Sequence, residues 1–223
     1  MNIANNILKD YLQNVYFITG TAYAGKSTMV KMLAERFDII ACGENYHSKA
    51  SDKIATPQYQ PNICYFQTMS GWQEFVSRKP EVYAKWLKDT ASEAAEFEVA
   101  ELLRLTANGK KIIVDTNIPL SLLKEISDYN RVAVMLSPQS EAVNRFFERD
   151  DAEKRFLLEQ IKKSPTPNKT YENFKKCIAE ANSAERYNEY ANSGFFTYLR
   201  TDYLNDTREE VLSILAKHFG FIN

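Results

Sequence analysis

Glycine is scarce in this chain, with seven among 223 residues, so the closeness of Gly20 and Gly25 stands out. Cysteine is scarcer still. Cys42, Cys64 and Cys177 are odd in number and far apart, which argues against a disulfide framework, and no Cys-x-x-Cys pair suggests a zinc site. No apolar run approaches the roughly 18 residues that a membrane-spanning helix needs, so no membrane association is expected. Neither sign of charge is in surplus: 28 lysines and arginines against 29 aspartates and glutamates leave a formal charge of -1. That balance offers no basic track for nucleic acid. The first residues, Met1 to Asn6, lack the basic segment and apolar core of a signal peptide, and a cytoplasmic chain is the expectation. Internal repeats and low-complexity linkers are absent too. What is present, 44% hydrophobic and 26% charged residues, suits a single globular domain over residues 1–223 with a sizeable insertion.

Short apolar, β-branched runs mark the strands. Val15 to Thr19 ends at Gly20, as a buried parallel strand should. Phe37 to Cys42, Lys111 to Asp115, Arg131 to Leu136 and a weaker Phe195 to Leu199 follow. Between the first two, Ser27 to Arg36 is helical, with Met29, Val30, Met32 and Leu33 turned inward. Ser137-Pro138 supplies an N-cap and a first-turn proline for the helix after the fourth strand. Tyr171 to Ala191 reads as a long helical stretch, and Asp206 with Glu209 is spaced as a capping box for a last helix over Thr207 to Phe219. Strands alternating with helices imply an α/β fold with a parallel sheet. The alternation breaks between the second and third strands, where residues 43–107 form an insertion that becomes helical over Gly71 to Ser77 and Glu81 to Thr106.

The specific motif is Gly20-Thr21-Ala22-Tyr23-Ala24-Gly25-Lys26-Ser27, a glycine, four residues, then Gly-Lys-Ser, with Thr28 following in the helix. Glycines let the backbone turn its N–H groups onto phosphate oxygens. Lys26 brings a mobile cation to the outer phosphates, and the Ser27 hydroxyl can ligate magnesium. A helix beginning there adds the positive end of its dipole. A chain of this length meets the pattern by accident on the order of once in a hundred. The strand before and the helix after are the context the motif requires. Asp115, ending an apolar strand, can hold Mg2+ through water if its strand neighbours the loop; an aspartate capping the next turn is the structural alternative. Arg145 and Arg149 are four apart on one helical face, and with Arg155 they can close over a transferring phosphoryl group. A solvated face paired with nearby acidic residues is the competing explanation.

The order of strand, loop, helix, strand, helical insertion, strand ending in Asp115, strand and Ser-Pro helix resembles the P-loop nucleoside and nucleotide kinase family. Val134-Met135-Leu136-Ser137-Pro138 through Arg145 and Arg149 is similar to that family's fourth strand and lid, and Thr207 to Leu212 to its closing helix. The resemblance implies a P-loop NTPase fold with a five-stranded parallel sheet in the order 2-3-1-4-5 and a lid over residues 145–165. It also implies ATP and Mg2+ as cofactors, an acceptor bound under the insertion, and the nucleotide base near Arg200, Thr201 and Asp202. Glu44 occupies the place where deoxynucleoside kinases keep a base for the acceptor hydroxyl. Asp115-Thr116-Asn117-Ile118-Pro119 lacks the glycine and arginine of nucleoside monophosphate kinases, and the Glu-Arg-Ser and glycine-triplet patterns of related subfamilies are missing. No subfamily is assignable.

The expected activity is Mg-dependent transfer of the γ-phosphate of ATP to a small-molecule acceptor, a nucleoside or nucleotide first. A slow regulatory NTPase with a protein partner, or a kinase of a larger acceptor such as a sugar or antibiotic, are the alternatives. The Asn-Lys-x-Asp guanine pattern is absent, which argues against a GTPase. His47 reads as a solvated loop histidine with a minor claim as acceptor base, and Asp52 ranks lower. Glu96, Glu98 and Glu101 read as a solvent face, with Glu98 and Glu101 as alternative acceptor contacts. The insertion's aromatics, Trp72, Phe75, Tyr83 and Trp86 among them, have the helical spacing of a core stripe, with stacking on a planar base as the alternative. Nothing in the sequence sets an oligomeric state.

Overall fold

The computed structural model describes residues 3–148 and 151–223. Five parallel strands form one sheet: β1 (Val15–Gly20), β2 (Ile40–Cys42), β3 (Ile112–Asp115), β4 (Val132–Leu136) and β5 (Phe196–Leu199), in the order β2-β3-β1-β4-β5. The order implied by the resemblance is therefore the one observed. Burial explains it: every residue of β3 and β4 is buried, as is β1 apart from Tyr16, while the edge strands β2 and β5 are only partly covered. Each of Phe17, Ile18, Ile112 and Ile113 is fully buried and contributes roughly 1.5–3 kcal/mol by leaving water.

The chain divides into two compact units. The first, residues 1–54, 94–137 and 189–223, holds the sheet. On it, the Lys26–Phe37 and Arg208–His218 helices pack Leu33, Val211 and Leu215, with Phe219 just past the second helix, against Ile18, Ile113, Ala133 and Met135. The second, residues 55–93 and 138–188, is helical. Its core joins Phe75, Val76 and Tyr83 to Leu157, Ile161, Phe174, Cys177 and Ile178. Residues 43–107 are shared between the units, and the Pro80–Thr106 helix contributes to both.

Several local expectations change. The helix after the loop runs to Phe37, and Asp38 closes it in the left-handed conformation (φ 51°), so β2 starts at Ile40 rather than Phe37. The helical stretch expected over Tyr171 to Ala191 starts earlier and consists of two helices, Pro167–Ala181 and Ala184–Ala191; at the end of the first, Asn182 bonds its side-chain amide back to Ile178 O at 2.8 Å. The last helix begins without a capping box: Asp206 pairs with Arg208, and Glu209 with Arg36 at 2.9 Å. Among the described residues no helix is long and apolar enough to cross a membrane.

Candidate functional site

Gly20 ends β1 and pairs with Met135 of β4. A Cβ there would lie 1.9 Å from the Met135 carbonyl oxygen, and its φ of 131° is one that glycine alone adopts easily. Thr21 N–H donates to the same carbonyl at 3.0 Å, so the loop leaves the sheet pinned to β4. Tyr23 is left-handed at φ 63°, and Gly25, at φ 92°, is the N-cap of the Lys26–Phe37 helix. The N-cap glycine has no side chain to cap that helix and no acidic residue stands in its first turn, an arrangement whose positive end suits an anion.

Three successive loop carbonyls are held by donors. Thr21 O accepts from Lys26 Nζ at 3.0 Å, Ala22 O from the Ser137 hydroxyl, and Tyr23 O from Arg200 Nη1 at 3.2 Å. The peptide bonds are trans, so each following N–H points the opposite way. Ser137, expected as an N-cap, has this other duty. Its N–H donates to Thr21 Oγ1 at 2.7 Å, and the backbone position at the start of the Gln139–Arg145 helix falls to Pro138.

β3 lies beside β1, with Asp115 paired in register to Ile18. Asp115 is buried, and its Oδ2 accepts from the Ser27 hydroxyl at 2.6 Å. The hydroxyl and the carboxylate are thus in direct contact at the start of the helix. Among the described residues no group of three His, Cys, Asp or Glu side chains is placed to hold a metal unaided.

The turn after Asp115 recruits residues scattered along the first unit. Exposed Glu44 accepts from Asn117 Nδ2 at 3.3 Å. Glu98, expected on a solvent face with Glu96 and Glu101, is instead 2% exposed. Its Oε2 accepts from the Thr116 hydroxyl at 2.6 Å, and its backbone carbonyl accepts from Tyr46 OH at 3.1 Å. Burial pushes its carboxyl up to about 7, the Thr116 bond pulls the other way, and nearby Asp115 adds to the rise. Glu96 is exposed and Glu101 is ion-paired with Arg104 at 2.5 Å, so the face is mixed. His47 is likewise buried at 7% exposure rather than solvated, and burial holds its imidazole below the ordinary value, with Asp52 opposing. The signal for Glu98 was its place between Ala95 and Leu102 on the buried side of the helix, a position the charged neighbours obscured.

In the helical unit, Arg145 ends the Gln139–Arg145 helix with its Nε 2.7 Å from Glu141. Arg149 lies outside the described residues. Asp151 caps the Ala152–Lys162 helix through the Lys154 N–H at 3.0 Å. The insertion aromatics pack on one another: Phe75 and Tyr83 are core, and Tyr65 holds the Arg78 guanidinium 3.6 Å above its ring. Cys42, Cys64 and Cys177 are all buried, with burial raising each thiol above its ordinary value.

Comparison of the chain with protein-family models, with curated proteins and with solved structures finds no match.

Proposed function

We propose that this chain is a Mg-dependent phosphotransferase of the P-loop kinase type, moving the γ-phosphate of ATP to a small polar metabolite, with a nucleoside or nucleotide as the first class to test. The observation that carries the proposal is the 2.6 Å contact between Ser27 Oγ and Asp115 Oδ2 at the uncapped start of a helix, directly after a loop entered through Gly20. A hydroxyl and a carboxylate so close are a pair that a hard, oxygen-seeking cation fits, the remaining ligands coming from phosphate and water. When bound, Mg2+ neutralises charge on the outer phosphates.

The chain's own residues would do the rest. Backbone N–H groups of the Gly20–Ser27 loop and the first turn of the helix hold the phosphate chain. Lys26, resting on the Thr21 carbonyl, exchanges that neutral partner for phosphate oxygens, a stronger bond because both groups are charged. Glu44 is the acceptor-side base we favour: it is exposed, and its bond to Asn117 keeps it next to the turn that follows Asp115. Buried Glu98 supports that turn through Thr116 and does not face solvent.

A panel of nucleosides, nucleotides and sugars, assayed for acceptor-dependent ADP release, tests the activity. Release at the water rate with every acceptor, together with no acceptor-dependent thermal shift, would sink the kinase assignment and favour a nucleotide-binding regulator.

A further inference from the structure

We propose that Arg200 is a positioning residue for the phosphate loop, holding the Tyr23 carbonyl to one side so that the Ala24 amide is turned to the other, where a phosphate chain would be met. The inference rests on the phosphate-binding role proposed for Gly20–Ser27. It does not concern the base of the nucleotide.

The loop has a weak point at Tyr23. A non-glycine residue at φ 63° is disfavoured, because its Cβ crowds the backbone, and such residues persist where their surroundings hold them. Ala24 is buried and anchors the far side of the peptide in the core under the Lys26–Phe37 helix. On the near side, Arg200 Nη1 donates to Tyr23 O at 3.2 Å. A trans peptide is rigid, so fixing this carbonyl fixes the direction of the Ala24 N–H.

Arg200 is itself well placed to be a fixed point. Its backbone N–H donates to Leu136 O at 2.9 Å, extending the pairing of β5 with β4 by a residue. Its guanidinium carbon lies 4.5 Å from the centre of the Tyr203 ring. The carboxylate of neighbouring Asp202 is occupied elsewhere, accepting from the Leu204 and Asn205 amides and from Asn205 Nδ2, which ties the segment after β5 into a compact turn. The guanidinium also comes within 3.9 Å of the point where a Cβ on Gly25 would stand, so its charge lies against the start of the helix. A planar fork that stacks on one ring and donates from Nε to the Asp202 carbonyl at 3.5 Å and from Nη1 to the Tyr23 carbonyl has a task for which lysine is a poor substitute.

The test is a calorimetric titration of the parent, Arg200→Ala and Arg200→Lys with Mg·ATP and with Mg·tripolyphosphate, which has no base. Loss of a charge-assisted bond that preorganises an amide is expected to weaken both ligands by the same factor, about tenfold for alanine. Arg200→Lys is expected to fall between, and it carries the test if the alanine variant does not fold. As a readout that a merely structural role would not move, the Ala24 amide resonance is expected to shift on tripolyphosphate binding in the parent and to lose most of that shift in Arg200→Ala. Tripolyphosphate binding unchanged in both variants overturns the inference, whether or not ATP weakens, since loss for ATP alone would put Arg200 at the base. A parent that binds neither ligand overturns the phosphate-binding role itself.

Discussion

Replacing Asp115 by asparagine separates a metal-handling carboxylate from one that merely ends a strand. Asparagine has nearly the same shape and keeps a carbonyl able to accept the Ser27 hydroxyl, now held at 2.6 Å by Asp115 Oδ2. What is lost is the charge. A hydroxyl bonded to a carboxylate is roughly twice as strong as a neutral pair, so the fold should lose only about 1 kcal/mol. The effect on a cation is larger, because changing a carboxylate that orients the ligands of a metal typically weakens binding about 10- to 100-fold. The assay is ATP binding at fixed nucleotide with Mg2+ varied, alongside a thermal melt. The midpoint in Mg2+ is expected to rise by that factor. Binding of Mg-free ATP should stay the same or tighten, since a negative charge facing the phosphates has gone. An unchanged midpoint in a folded Asp115→Asn protein would refute the metal role and leave Asp115 as a strand-ending cap.

Three further outcomes are expected. Gly20→Ala should cost about 2–5 kcal/mol in a urea melt, combining a poor φ with overlap on the Met135 carbonyl that only a parting of β1 from β4 relieves; a loss under 1 kcal/mol would contradict the close approach. Glu98 has a folded-state value raised to about 7 from 4.5, so the stability it contributes is full below pH 4.5 and is lost as pH rises through 7. Relative to parent, Glu98→Gln should gain up to about 3 kcal/mol between pH 4.5 and pH 8, and parallel pH profiles for the two proteins would show that Glu98 does not titrate in this range. Cys42, Cys64 and Cys177, buried and with raised thiol values, should react slowly with an aromatic disulfide at pH 8 until the protein is denatured; fast modification of the native protein would count against their burial.

Local patterns carried the sheet. Val15 to Gly20, Ile112 to Asp115 and Val132 to Leu136 are apolar runs bounded by turn residues, and their burial on both faces is what such runs require. The loop was legible for the same reason: its glycines and Lys26-Ser27 lie within one short segment. Contacts made across long stretches of chain were not. Arg200 reaches Tyr23, Ser137 reaches Thr21 and Ala22, and Glu98 meets Thr116 and Tyr46, none of which a helical or strand period encodes. Glu98 was hidden further by Glu96 and Glu101, whose exposure and ion pairing suit the solvent face that the whole cluster suggested. Asp206 and Glu209 show the reverse case. Their spacing fitted a capping box, yet Glu209 pairs with Arg36, and Asp206 pairs with the Arg208 side chain and accepts that residue's own N–H at 3.2 Å.

The central claim is that Gly20 to Ser27 binds the phosphates of a nucleotide, and Lys26 tests it most directly. Equilibrium dialysis of labelled ATP with Mg2+, on the parent and on Lys26→Ala, should show saturable one-site binding by the parent and a loss of at least about tenfold in the variant, as expected for removing a charged bond to phosphate. Equal affinity in the two proteins, with both folded, would contradict it.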